Sequence, residues 1–157
     1  MANVKKGKTI LFAYDGSEEA KEAIRQAGHQ LRKGRRAIVL TVWRRFAGVP
    51  FMGPAAIAGA GFPERNERDA QQLAREGAAL AREEGFDAEP IAEEGDPIWE
   101  RIVETAETHD ADIIVMGSHG RTGLSLVLVG SVAGATARHT ERPVLIAHND
   151  DDAGQAA

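Results

Sequence analysis

With 157 residues and no cysteine, the chain is long enough to bury one core unaided, and disulfides, thiolate nucleophiles and Cys-type zinc sites are excluded. A composition of 43% hydrophobic and 27% charged residues is that of an ordinary globular domain, and a second full domain does not fit. The net charge of −5 argues against a nucleic-acid surface, which needs clustered Lys and Arg with few acids between them.

Two small basic clusters, Lys5-Lys6-Gly7-Lys8 and Arg32-Lys33-Gly34-Arg35-Arg36, read as solvated ends of elements. The first of them runs straight into a short apolar segment, with no signal-peptide core or cleavage site. The uncharged stretch 122–137 falls short of the roughly 20 apolar residues of a membrane helix. The expectation is a cytoplasmic protein with no membrane partner.

In chain order, Thr9 to Tyr14 is an apolar β-type run ending at the turn sequence Asp15-Gly16-Ser17. Ser17 is placed to cap a helix whose apolar face is Ala20, Ala23, Ile24, Ala27, Gly28 and Leu31, stopped by Gly34. Ala37 to Trp43 is a second uninterrupted apolar strand, completing a βαβ unit of the kind found in parallel sheets covered on both faces.

From Arg44 to Pro63 the pattern dissolves into Gly, Ala and Pro with Phe46, Phe51, Met52 and Phe62 among them. It reads as a lid, a partner surface or a floppy insertion. The helical period returns at Ala70, Leu73, Ala74, Gly77, Leu80 and Ala81, closed by Gly85. Asp87 to Ala92 is a weak strand that Pro90 relegates towards the sheet edge. Asp96-Pro97 reads as N-cap and first helical residue of a helix burying Ile98, Trp99, Ile102, Val103 and Ala106. Asp112 to Met116 is a fourth strand, 132–138 a short helix, and Pro143 to Ala147 a fifth strand. Residues 149–157 are expected to form a disordered acidic tail beyond a domain spanning 1–148.

Alternating strands and helices without an internal repeat predict an open, doubly wound α/β fold. In such sheets ligands bind outside the carboxyl ends of the strands where strand order reverses. That point lies between strands one and three for the order 2-1-3-4-5, and between one and four for 3-2-1-4-5. The second order brings Asp15-Gly16 opposite Gly117-Ser118, and is favoured by the placement of the glycines.

Gly117-Ser118-His119-Gly120-Arg121-Thr122-Gly123, followed by Gly130-Ser131, begins directly after an apolar strand and ends at a helix start. Glycines let backbone N–H groups approach a phosphate, a helix N-terminus adds free donors, and Arg121 is suited to bidentate pairing with phosphate oxygens. The competing reading is a long turn whose glycines only permit tight packing. Asp110 and Asp112 are read as capping the chain reversal before strand four, not as a catalytic carboxylate pair.

These residues carry a resemblance to the universal stress protein family over Thr9 to His148. Ala13-Tyr14-Asp15-Gly16-Ser17 resembles the end of the family's first strand, and Met116-Gly117-Ser118-His119-Gly120-Arg121 the end of its fourth. Gly117, Gly120 and Gly130-Ser131 match the spacing of its nucleotide-binding branch: Gly, two residues, Gly, nine residues, then Gly followed by Ser or Thr. The resemblance implies a five-stranded parallel sheet of order 3-2-1-4-5 that binds ATP. Ala13 and Asp15 would lie on the adenosine side, with Asp15 near ribose or a Mg²⁺ arriving with ATP. Val42 would offer backbone groups to the adenine edge, and Gly117, Gly120, Arg121, Gly130, Ser131 and Val132 would surround the phosphates. His119 is read either as a phosphate donor or as a solvent-facing or loop-stabilising residue. The resemblance further implies a homodimer through the last strand.

Other signals fail on spacing. Gly7-Lys8-Thr9 precedes a strand where a Walker A loop would follow one, and Gly59-Ala60-Gly61 lacks the third glycine of a dinucleotide fingerprint. The histidines show no metal spacing, and a phosphorelay receiver would want a lysine where Ile146-Ala147-His148 stands. The leading expectation is a stress or regulatory protein that binds ATP, with hydrolysis slow or absent. The alternatives are an ATP-hydrolysing enzyme on a related fold and a nucleotide-free interaction module using Phe51-Met52.

Overall fold

A computed structural model describes residues 9–45, 67–119 and 129–148. Gly120, Arg121, Phe51, Met52, most of the 44–63 loop, the Lys5–Lys8 cluster and the 149–157 tail lie outside the described residues. Nine elements follow in order: β1 (Thr9–Ala13), α1 (Glu18–Gln30), β2 (Arg36–Trp43), α2 (Glu67–Glu83), β3 (Asp87–Glu94), α3 (Ile98–Thr108), β4 (Ala111–Gly117), α4 (Ser131–His139) and β5 (Val144–Ala147). The sheet order is β3-β2-β1-β4-β5 and every pairing is parallel.

This is the 3-2-1-4-5 arrangement, and hydrophobicity explains it. β1, β2 and β4 are nearly continuous apolar runs because helices cover both of their faces. Ile10, Phe12, Val39 and Val115 pack with Ala23, Ile24 and Ala78 on the α1/α2 side, where the Phe12 and Phe86 rings meet at 5.5 Å. Leu11, Ile38, Leu40 and Ile114 pack with Ile102, Ala106 and Ala133 on the α3/α4 side. Each fully buried side chain of this size stabilises by about 1.5–3 kcal/mol relative to an exposed one.

The two sheet edges are unlike. β3 carries Pro90 and exposed Asp87, Glu89 and Glu94, with Glu89 paired to Arg36 and Glu94 to Arg45. A charged, proline-bearing strand discourages further pairing. β5 reads Val-Leu-Ile-Ala and carries no charge.

Local signals held where they were strong. Ser17 caps α1, its Oγ accepting from Ala20 N at 3.1 Å, and Gly34 and Gly85 adopt positive φ just beyond α1 and α2. Two expectations need correction. Pro97, not Asp96, is the N-cap of α3, and it offers no side-chain hydrogen bond; Asp96 is exposed and pairs with Arg44 at 3.3 Å. Asp112 does not cap the chain reversal before β4, because its carboxylate is taken by an ion pair with Arg35. Asp110 makes that reversal through its backbone, at φ 49° with its N–H donating to Glu107 O.

Candidate functional site

The carboxyl ends of β1 and β4 are neighbours, and their chain directions diverge into α1 on one face of the sheet and α4 on the other. That divergence opens a cavity of about 420 Å³ at the switch point. Ala13, Asp15, Val42, Gly117, His119, Gly130, Ser131 and Val132 all line it; they are the expected site residues that fall within the described chain.

The first wall is fixed by hydrogen bonds from β2. Tyr14 N donates to Leu40 O at 2.8 Å, and the Thr41 hydroxyl, fully buried, donates to Tyr14 O at 2.9 Å. Asp15 then turns the chain: one carboxylate oxygen accepts from Ser17 N at 2.9 Å, and Ser17 spends its own hydroxyl on capping α1. Asp15 and Ser17 thus form a turn and a cap at the cavity's edge.

The opposite wall is built by close backbone approach. A Cβ on Gly117 would stand 2.8 Å from Glu19 Cβ and 2.9 Å from the Glu19 carbonyl carbon, so the missing side chain lets α1 close on the end of β4. A Cβ on Gly130 would stand 2.7 Å from Ser118 O. Gly130 N donates to that same oxygen at 2.6 Å, clasping the start of α4 to the end of β4. Both glycines serve tight packing, and that packing places backbone at the cavity.

The helix starts at the cavity differ in charge. α1 is capped by Ser17 and has Glu18 and Glu19 in its first turn. α4 begins at Gly130 with no side-chain cap and no acidic residue in its first turn, while Arg138 and His139 lie in its last. Uncapped N–H groups and the positive end of the helix dipole make this terminus the anion-accepting part of the cavity. Elsewhere on the wall Leu40, Val42, Ile98, Ile102 and Met116 form an apolar surface suited to a flat hydrophobic ring.

Sequence reading missed Tyr14, Ile98, Ile102 and Met116 as wall residues. Their apolar periodicity marked them as core, and nothing local distinguishes a core residue from one bordering a cavity. Among the described residues no cluster of three or more His, Cys, Asp or Glu is arranged to hold a metal, and no helix is long and apolar enough to cross a membrane.

An open, doubly wound α/β domain with an uncapped helix start facing an apolar cleft defines a class of ligand-binding domains. The particular family is shown by comparison. Residues 7–148 match the universal stress protein family, and the chain belongs to it. Universal stress protein MJ0531 of Methanocaldococcus jannaschii is 32% identical over 142 residues, covering 88% of this chain and 81% of that one. The solved structure of hypothetical protein MJ0577 superposes with a TM-score of 0.69 at 29% identity, covering 92% of this chain and 97% of the other. A universal stress protein solved in complex with cAMP superposes with a TM-score of 0.59 at 25% identity, over 91% and 98% of the two chains.

Proposed function

We propose that the chain is a universal stress protein that binds ATP in this cavity and acts as a stress-response regulator whose nucleotide-bound state is what its partners read. The observation that carries this reading is the uncapped, acid-free start of α4 beside the apolar Leu40, Val42, Ile98 and Met116 surface. Phosphates need the first and an adenine ring the second. The relative solved with cAMP supports an adenine nucleotide as the ligand class.

In this reading Ala13 and Val42 border the adenosine, and Gly117, His119, Gly130, Ser131 and Val132 border the phosphates, joined by Gly120 and Arg121. Mg²⁺ entering with ATP would be held by phosphate oxygens and the single carboxylate of Asp15, the usual pattern for that ion. Hydrolysis in this reading is slow or absent.

The protein acts as a cytoplasmic homodimer joined along β5. Support comes from the unlike edges: β3 is guarded by charge and proline, and β5 is an apolar strand without charge. Mass spectrometry of the denatured purified protein tests the ligand, followed by a turnover assay with Mg²⁺. Co-purified ATP or ADP without turnover is expected. An empty protein that also fails to bind added ATP by calorimetry would overturn the reading, and steady release of phosphate would make it an enzyme.

A further inference from the structure

Ser118 and His119 stand side by side on the cavity wall, and their side chains bond to each other, with Ser118 Oγ 3.2 Å from His119 Nδ1. Ser118 is held from both sides. Its N–H donates to Ala147 O at 2.8 Å and its carbonyl accepts from Gly130 at 2.6 Å, and only 2% of the residue is exposed. The hydroxyl is therefore fixed beside the imidazole by backbone bonds to β5 and to the start of α4.

Two proton arrangements satisfy the contact. If Nδ1 carried the proton and donated to Ser118 Oγ, the hydroxyl's own hydrogen would be buried with no acceptor among the described residues. A buried donor left unmet costs about 1–3 kcal/mol. If Ser118 donates to a bare Nδ1, that hydrogen is used and only acceptor capacity on the oxygen is left over. The second arrangement is favoured. The proton of a neutral imidazole then resides on Nε2, at the far side of the ring from Ser118.

We propose that Ser118 is a positioning residue for His119: its hydroxyl holds the neutral imidazole in the Nε2–H tautomer, so that His119 presents an N–H donor to an anionic oxygen of the ligand. The ligand half of this inference rests on the nucleotide reading above; the tautomer half stands on the protein alone. The arrangement supplies a phosphate donor that needs no protonation of the ring. It also resolves the two roles open to His119 in the sequence, since one nitrogen anchors the loop and the other faces ligand.

Long-range proton–nitrogen NMR on the full chain with nitrogen-labelled histidine tests it, His119→Gln identifying the resonances. The spectrum is recorded well above the ordinary histidine value of about 6.5. Expected is a bare, pyridine-like Nδ1 and a protonated Nε2; the reverse pattern would overturn the proposal. Ser118→Ala is expected to shift the His119 nitrogens towards a mixture of tautomers. It should also weaken ATP by about threefold to tenfold, with adenosine changed less than twofold. An unchanged tautomer in the variant, or equal losses for ATP and adenosine, would also overturn it. Wild-type protein that shows the Nε2–H form yet binds no ATP would sink the nucleotide reading and leave the Ser118–His119 relation supported.

Discussion

The Tyr14 phenol donates to Glu76 Oε1 at 2.8 Å, joining the cavity wall to α2 across 62 positions of sequence. Gly77 makes room for it, since a Cβ there would stand 2.8 Å from the tyrosine ring. The wall residue is thus held by its backbone to β2 and by its side chain to α2.

Burial first, and then the Glu76 hydrogen bond and charge, push the Tyr14 phenol well above its ordinary value. Tyr14 is the one tyrosine of the chain, so tyrosinate absorbance reports it alone. The unfolded phenol titrates near pH 10. Above that the unfolded state has lost a proton that the folded state retains. This contribution to stability is therefore complete below about pH 10 and is lost as pH rises through the folded value. A native midpoint above that of the denatured protein is expected, and coincident midpoints would show the bond to be absent. Tyr14→Phe should lower stability by about 1 kcal/mol in urea unfolding at neutral pH.

Gly130→Ala should do what a Cβ at 2.7 Å from Ser118 O requires, forcing the start of α4 away from β4. Gly130 has an ordinary φ of −57°, so the cost is steric and not conformational. We expect a loss of about 1–3 kcal/mol in stability and at least a tenfold weaker Kd for ATP, read by denaturation and calorimetry. Unchanged affinity in a folded variant would detach this clasp from ligand binding.

The Arg35–Asp112 ion pair lies at the amino ends of β2 and β4, away from the cavity, with both side chains at most a quarter exposed. Asp112→Ala leaves Arg35 without that partner and should cost about 1–2 kcal/mol of stability. The ATP Kd should stay within twofold. A binding defect as large as that of the Gly130 variant would contradict this separation of fold and site.

Assembly through β5 is tested at Ile146. Ile114 N donates to Pro143 O and Ser118 N to Ala147 O, so the odd-numbered residues of this parallel strand face β4. Val144 and Ile146 turn their backbone groups to the open edge. Ile146→Pro removes a donor from that edge and none from the β4 ladder. Light scattering should show a dimeric wild type and a monomeric variant with its helical circular dichroism intact. A monomeric wild type at tens of micromolar would mean that this edge is not the interface.

Most of the architecture is legible in local pattern. Uninterrupted apolar strands, helix faces at 3.6-residue spacing and turn residues between them specify element type and order, because each records which surface must be buried. Ser17 was readable as a cap because capping is settled within three residues. The same locality misled at Asp96 and Asp112. Each has the right chemistry to cap or close a turn, but each is taken by an arginine from another part of the chain, Arg44 and Arg35 respectively.

The sequence by itself determined the alternation of strands and helices, and Asp15-Gly16 after one strand with Gly117-Ser118 after another favoured the strand order that the sheet adopts. Only the tertiary structure decided what those residues do there. It set Gly117 against Glu19, Gly130 against the Ser118 carbonyl, and Tyr14 against Glu76. The physical reason is range. Burial pattern and capping are fixed by neighbours a few residues away, whereas a partner 62 or 77 positions distant is chosen by how two crossovers bring strands side by side, for which no single segment carries a signal.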